Sequence, residues 1–173
     1  MLTLPEIKAE VDRRASTIGA SRDSSLPTYG RTEDCGQAHI EVDEVNYHFV
    51  IVERGKENTR VSTPDLDHLL YLVFECVTFS LAGQYEVNHR VQTQDCRRIM
   101  FQRQIELLSQ LSSSWGGRCA QRLDFILRKH PYDDFVMIRV DFTMALRKQG
   151  HAPDIAWRLA CERYPLPGDE SSA

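Results

Sequence analysis

The stretch YLVFECVTFSLAGQYEVNHR, residues 71–90, decides how the chain is read, because it sets Glu75, Cys76, Glu86 and His89 within an apolar run. At about 100° per residue, His68, Glu75, Glu86 and His89 fall within roughly 60° of one another on a helix, with Leu66, Leu69, Leu70, Val73, Val77 and Ser80 opposite. Tyr71, Leu72, Phe74, Phe79 and Tyr85 flank this polar stripe, so most of the circumference favours burial. The run is shorter and more interrupted than the roughly 20 apolar residues that cross a bilayer, which predicts a central core helix with a wet edge. Its start is written in STPDLD. Thr63 suits the cap and Pro64 the first helical position, Asp65 and Asp67 favour the positive end of the dipole, and the helix runs to about Arg90.

Upstream, HIEVD, YHFVIVE and TRVS read as three short strands joined by hairpin links, EVN and RGKEN, in an antiparallel meander. Ile40 and Val42 alternate with His39, Glu41 and Asp43, giving one apolar face, whereas the second strand is apolar on both faces and suits the middle position. An opening helix from about Leu4 to Ile18 carries Leu4, Ile7, Val11 and Ala15 at helical spacing, and GASRDSSLPTYGRTEDCGQA reads as a long loop. Downstream, Thr93 is expected to cap QDCRRIMFQRQIELLSQL, and Ser113 or Ser114 to cap WGGRCAQRLDFILRKH, which Pro131 stops. Asp133 or Asp134 caps FVMIRVDFTMALRKQG, closed by Gly150, and APDIAWRLACERY makes a last short helix before a frayed tail.

At 173 residues the chain suits one domain, or one domain with an appendage, and an apolar share of 42% with 27% charged residues is that of a globular protein. The net charge of −4 argues against nucleic acid as the main partner, and the amphipathic start MLTLPEIKAEVDRR is not a signal peptide, so a cytoplasmic location is expected. Cys35, Cys76, Cys96, Cys119 and Cys161 are scattered singly and odd in number, which suits reduced thiols. Charge is uneven: nine acidic residues between Glu33 and Asp67 face three basic ones, while eight basic residues between Arg90 and Lys129 face three acidic ones.

Glu86-x-x-His89 has the spacing of a carboxylate-bridged di-metal site, which needs a second such pair and two more carboxylates on facing helices. The near match Asp65-x-x-His68 lies on the same helix, about 30 Å away at 1.5 Å per residue, so one ion cannot serve both. Cys76 sits roughly 100° from the stripe and does not meet His68 as a nucleophile–base pair. KHPYDD gathers His130, Asp133 and Asp134, but a proline ending one helix and an aspartate capping the next accounts for it. RKQGHAPDIAWR joins two helices tightly, yet Arg158 and Arg163 are opposed by Asp154 and Glu162, a poor charge pattern for reading DNA. Two other classes stay open: a helical metalloenzyme using Glu75, Glu86 and His89, and a DNA-binding regulator acting through the last two helices.

Taken in order, LPTYG, HIEVD, YHFVIVERGKE, TPDLDHLLYLVFECVTFSLAGQYE, QDCRRIMFQRQIELLSQL and ILRKHPYDD resemble the immunity protein 63 family of bacterial polymorphic toxin systems, over roughly residues 26–134. The resemblance implies an α+β protein that binds and neutralises a toxin made by the same or a sibling cell, without enzymatic activity. One feature departs from a well-formed helix: Gly116 and Gly117, just after Trp115, cost about 1 kcal/mol each if helical.

The expected fold is α+β, a short three-stranded antiparallel meander packed on five to six helices. Residues 1–134 form the immunity-type domain, 135–164 a helical hairpin extension packed on it, and 165–173 a disordered tail. The expected partner is a cognate toxin domain, with no nucleic acid, membrane, metal or cofactor and no catalytic residue. Glu41, Asp43, Glu44, Asp65 and Asp67 are the toxin-contact candidates, since an acidic face steers a basic partner at a salt-dependent rate and can mimic phosphates if the toxin is a nuclease. The basic stretch with Arg97, Arg98 and Arg103 is the alternative surface.

Overall fold

The computed structural model describes residues 1–21 and 26–168; residues 22–25 of the expected loop and 169–173 of the expected tail lie outside the described residues. The first helix, α1 (Leu4–Thr17), begins where the Glu6 carboxylate accepts hydrogen bonds from the Thr3 amide and hydroxyl, each at 2.7 Å. Its Ile7, Val11 and Ala15 are buried at the predicted spacing.

The sheet has four strands rather than three. Strand β1 (Thr28–Tyr29) pairs parallel with β2 (Cys35–Val42), which continues antiparallel into β3 (Tyr47–Glu53) and β4 (Lys56–Thr63), in spatial order β1-β2-β3-β4. Two residues carry no period, so β1 left no trace in the pattern. The front half of β2 was hidden for another reason: Gly36 takes φ +81° and the register shifts between Cys35 and Ala38, which breaks the alternation. The second hairpin is tighter than RGKEN suggested. Arg54 and Gly55, both at positive φ, make a two-residue turn, and Asp34 Oδ1 accepts the Gly55 amide at 2.7 Å.

Helix α2 (Leu66–Asn88) is capped by Asp65, whose carboxylate accepts the Asp67 amide at 2.9 Å. Thr63 and Pro64 do not fill the predicted roles, because β4 runs through Thr63 and leaves Pro64 and Asp65 to make the turn. At 23 residues and with a window of mean hydropathy 1.3, α2 does pass the length and composition measure of a membrane span, against the sequence expectation. In the fold it is the central helix: Leu69, Leu70, Val73, Phe74 and Val77 are buried against the sheet's Ile40, Tyr47 and Phe49 and against the following helices.

Those helices are α3 (Arg97–Leu111), α4 (Ser113–Lys129), α5 (Val136–Lys148) and α6 (Pro153–Arg163). Helix α3 starts later than a Thr93 cap predicts, because Asp95 takes the Arg97 amide at 2.9 Å and holds residues 92–96 as a turn. Ser112 alone links α3 to α4, so the two pack antiparallel and closely. Helix α4 accommodates both glycines: Gly116 is buried where α3 and α4 meet, with Ser109 opposite, and Gly117 is exposed. Helices α5 and α6 form a hairpin joined at Gly150, φ +96°.

The hairpin is tied to the body by a knot of charges around KHPYDD. Arg139, only 1% exposed, donates to Asp133 at 2.7 and 3.0 Å and to the carbonyls of Tyr164 and Pro165, so the chain is held through Pro165. Asp95 accepts the Asp133 amide at 2.8 Å, and Asp134 accepts the Asp95 amide at 2.9 Å and the Arg98 guanidinium at 2.8 Å. Desolvation pushes the Asp95 carboxyl up, but the Arg97 guanidinium and two backbone amides outweigh it and hold it below the ordinary range.

Candidate functional site

An open cleft of about 740 Å³ lies between the sheet and the helices. One wall is the bulged start of β2, Cys35 to Ala38, with Ile51 of β3; the other is Glu75, Cys76, Phe79 and Ser80 of α2. Gln104 of α3 and Arg122 of α4 complete it. The bulge at Gly36 turns β2 out of line with the sheet there, and α2 presents two neighbouring residues from each of two successive turns to the gap.

The polar groups of this cleft are nearly all engaged. Glu75 Oε1 accepts the Tyr71 hydroxyl at 2.8 Å and pairs with Arg122 at 2.7 Å, and Arg118 lies over the Tyr71 ring at 3.9 Å. Gln104 is fully buried, and its Nε2 donates to the Glu75 carbonyl at 3.1 Å. Its Oε1 accepts no hydrogen bond among the described residues. Phe79, 50% exposed, offers an apolar ring beside these groups. Burial pushes the Cys76 thiol up to about 11, so it stays protonated at neutral pH and is no activated nucleophile.

The polar stripe of α2 is split among local partners. His68 contacts Arg118 at 3.3 Å, Glu75 faces the cleft, Glu86 pairs with Arg90 at 2.8 Å, and His89 stacks on Tyr85 with centroids 3.9 Å apart. Glu75 and Glu86 are about 16 Å apart along the helix. Among the described residues no three His, Cys, Asp or Glu side chains gather in a group that could hold a metal ion.

Of the toxin-contact candidates, four are engaged inside the fold. Glu41 meets Arg60 at 2.8 Å and His39 at 3.1 Å, and the Arg60 guanidinium, first of all, lowers its carboxyl below the usual range. Asp43 accepts the Val45 and Asn46 amides at 2.8 and 2.7 Å and also meets His48. Asp65 caps α2, and Asp67 accepts the buried Trp115 indole N–H at 3.0 Å. Glu44, exposed at the tip of the β2–β3 link, has no hydrogen bond or ion pair among the described residues. The alternative basic surface is similarly committed: Arg97 is bound to Asp95, Arg98 to Asp134 and the Tyr132 ring, and Arg103 lies over Tyr85 beside Glu106. In α6, Arg158 pairs with Glu162.

Sequence reasoning passed over Gln104, Arg122 and Phe79. Gln104 did leave a signal, a lone polar residue in the buried phase of Phe101, Leu107 and Leu108. Arg122 and Phe79 left none, because only the fold brings α2, α3 and α4 to one cleft.

Residues 43–125 match the model of a family described as Immunity protein 63. The matched segment runs from the β2–β3 link into α4 and holds every cleft residue except those at the start of β2. No curated protein and no solved structure matches the chain.

Proposed function

Since residues 43–125 carry the pattern of the Immunity protein 63 family, we propose that this is an immunity protein, which binds a cognate toxin domain of a bacterial polymorphic toxin system and neutralises it in the cytoplasm by contact alone. The observation that carries the reading is the extent of that match, which takes in strands β3 and β4, the core helix and most of the cleft. A stable complex needs about 1,200–2,000 Å² of total buried surface and a few anchoring side chains. The cleft with Phe79 supplies an anchoring pocket, and the acidic meander with Glu41, Asp43 and Glu44 supplies steering. Asp65 and Asp67 act in this reading by fixing the start of α2 beside that surface.

The test begins with the adjoining reading frame. A toxin-like C-terminal domain encoded there, expressed in a host cell, stops growth, and co-expression of this protein restores it. Growth arrest that persists despite folded, abundant protein contradicts the reading.

A further inference from the structure

We propose that the cleft between β2 and α2 is a receptor for one basic side chain, whose cationic head donates to Gln104 and whose stem lies along Ala38, Ile51 and Phe79. The argument starts from the amide of Gln104. It is fully buried, its Nε2 is satisfied by the Glu75 carbonyl, and its Oε1 has no donor among the described residues. An unmatched buried acceptor costs about 1–3 kcal/mol. Oε1 has under 1 Å² of exposed surface in a residue that lines the open cleft, so a turn of the Gln104 side chain toward the opening lets a donor arriving from outside remove that cost.

The surroundings select a cation among donors. Glu75 and Glu53 flank the cleft: Glu75 lines it, and Glu53 Oε2 stands 3.8 Å from where a side chain on Gly36 would begin. Arg122 offsets Glu75, whereas Arg54, 91% exposed, reaches Glu53 only at 4.0 Å. One carboxylate is thus left in excess at the rim. Phe79 adds a half-exposed ring face, which attracts a guanidinium or ammonium and covers an aliphatic stem. Gly36 keeps the mouth open, since at φ +81° it carries no side chain between the rim and Glu53. That the basic residue belongs to a toxin rests on the immunity reading; that the cleft takes a cation does not.

The test uses the full chain, labelled with ¹⁵N, titrated with ethylguanidinium and with its neutral isostere ethylurea at constant ionic strength. Ethylguanidinium is expected to shift the Gln104 side-chain amide, Gly36 and Phe79 saturably, and ethylurea to bind about tenfold more weakly. Gln104→Met, with the rest of its spectrum unchanged, is expected to lose about tenfold in affinity, the worth of one buried hydrogen bond. Phe79→Ala, at an exposed position the fold does not need, provides a second variant and is expected to weaken binding several-fold. Shifts that never saturate, that are equal for the two probes, or that survive both substitutions unchanged overturn the proposal. Growth protection that fails while the titration succeeds overturns the immunity reading alone, and the reverse result overturns the cleft receptor alone.

Discussion

Gly116 of α4 meets Ser109 of α3 so closely that a methyl carbon built on the glycine would stand 1.9 Å from the serine hydroxyl oxygen and 3.1 Å from its Cα. Rotating the hydroxyl relieves the first contact but not the second. Gly116→Ala is therefore expected to destabilise the protein by about 1–3 kcal/mol through overpacking, despite alanine's better helix propensity. Gly117→Ala has open space around it and is expected to stabilise by about 0.5–1 kcal/mol. Urea unfolding of the two variants checks both signs.

Trp115 is 2% exposed, stacks on Phe74 at 6.0 Å and gives its indole N–H to Asp67. Asp67→Ala is expected to cost about 0.5–1.5 kcal/mol, at the low end for a lost buried partner because water reaches the exposed carboxylate side. Asp67→Asn keeps an acceptor and loses less. Unfolding followed by tryptophan fluorescence measures the difference.

Stability falls on acidification in a defined window. Hydrogen bonds from Arg13, then Arg14, hold the Glu10 carboxyl down from 4.5 to about 2, and Arg98 with the Asp95 amide holds Asp134 down from 3.8 to about 2. Such lowered carboxyls stabilise the fold fully above their unfolded values near 4 and lose that contribution as pH falls through the folded values. The melting temperature is expected to decline between about pH 4.5 and pH 2 on account of these two groups. In Arg98→Met that decline is shallower.

Glu44 is the one acidic candidate with no hydrogen bond or ion pair among the described residues. Glu44→Lys is expected to slow toxin association by about two- to tenfold at low salt and to flatten its salt dependence, leaving the melting temperature unchanged. Glu41→Lys also breaks the Arg60 pairing and lowers stability as well. Stopped-flow association across a salt series, beside thermal melts, separates the two effects. Equal rates for wild type and both variants at every salt concentration remove the steering role.

The helices were legible because their signals are local and repeated: the buried phase of α2 and the Ile7, Val11, Ala15 stripe of α1 follow from spacing alone. Strand β1 and the front of β2 were not, since one is too short to carry a period and the other is interrupted at Gly36. Caps failed where a long-range bond set the boundary, as Asp95 does for α3 through its ties to Asp133 and Asp134. The acidic face was visible as composition, but the pairing of Glu41 was not, because Arg60 and Glu41 are 19 residues apart and meet across strands. The Gly116 contact is the same kind of case: propensity reads a helical glycine as a defect, and the crossing makes it a requirement.

The central claim, neutralisation by binding rather than by chemistry, is tested most directly by titrating the purified toxin's activity with this protein. The account predicts residual activity falling linearly to zero at a fixed stoichiometric ratio, reached at once and unchanged on longer incubation. Time-dependent loss of toxin activity at far less than one equivalent would show turnover and contradict it, as would full toxin activity at saturating protein.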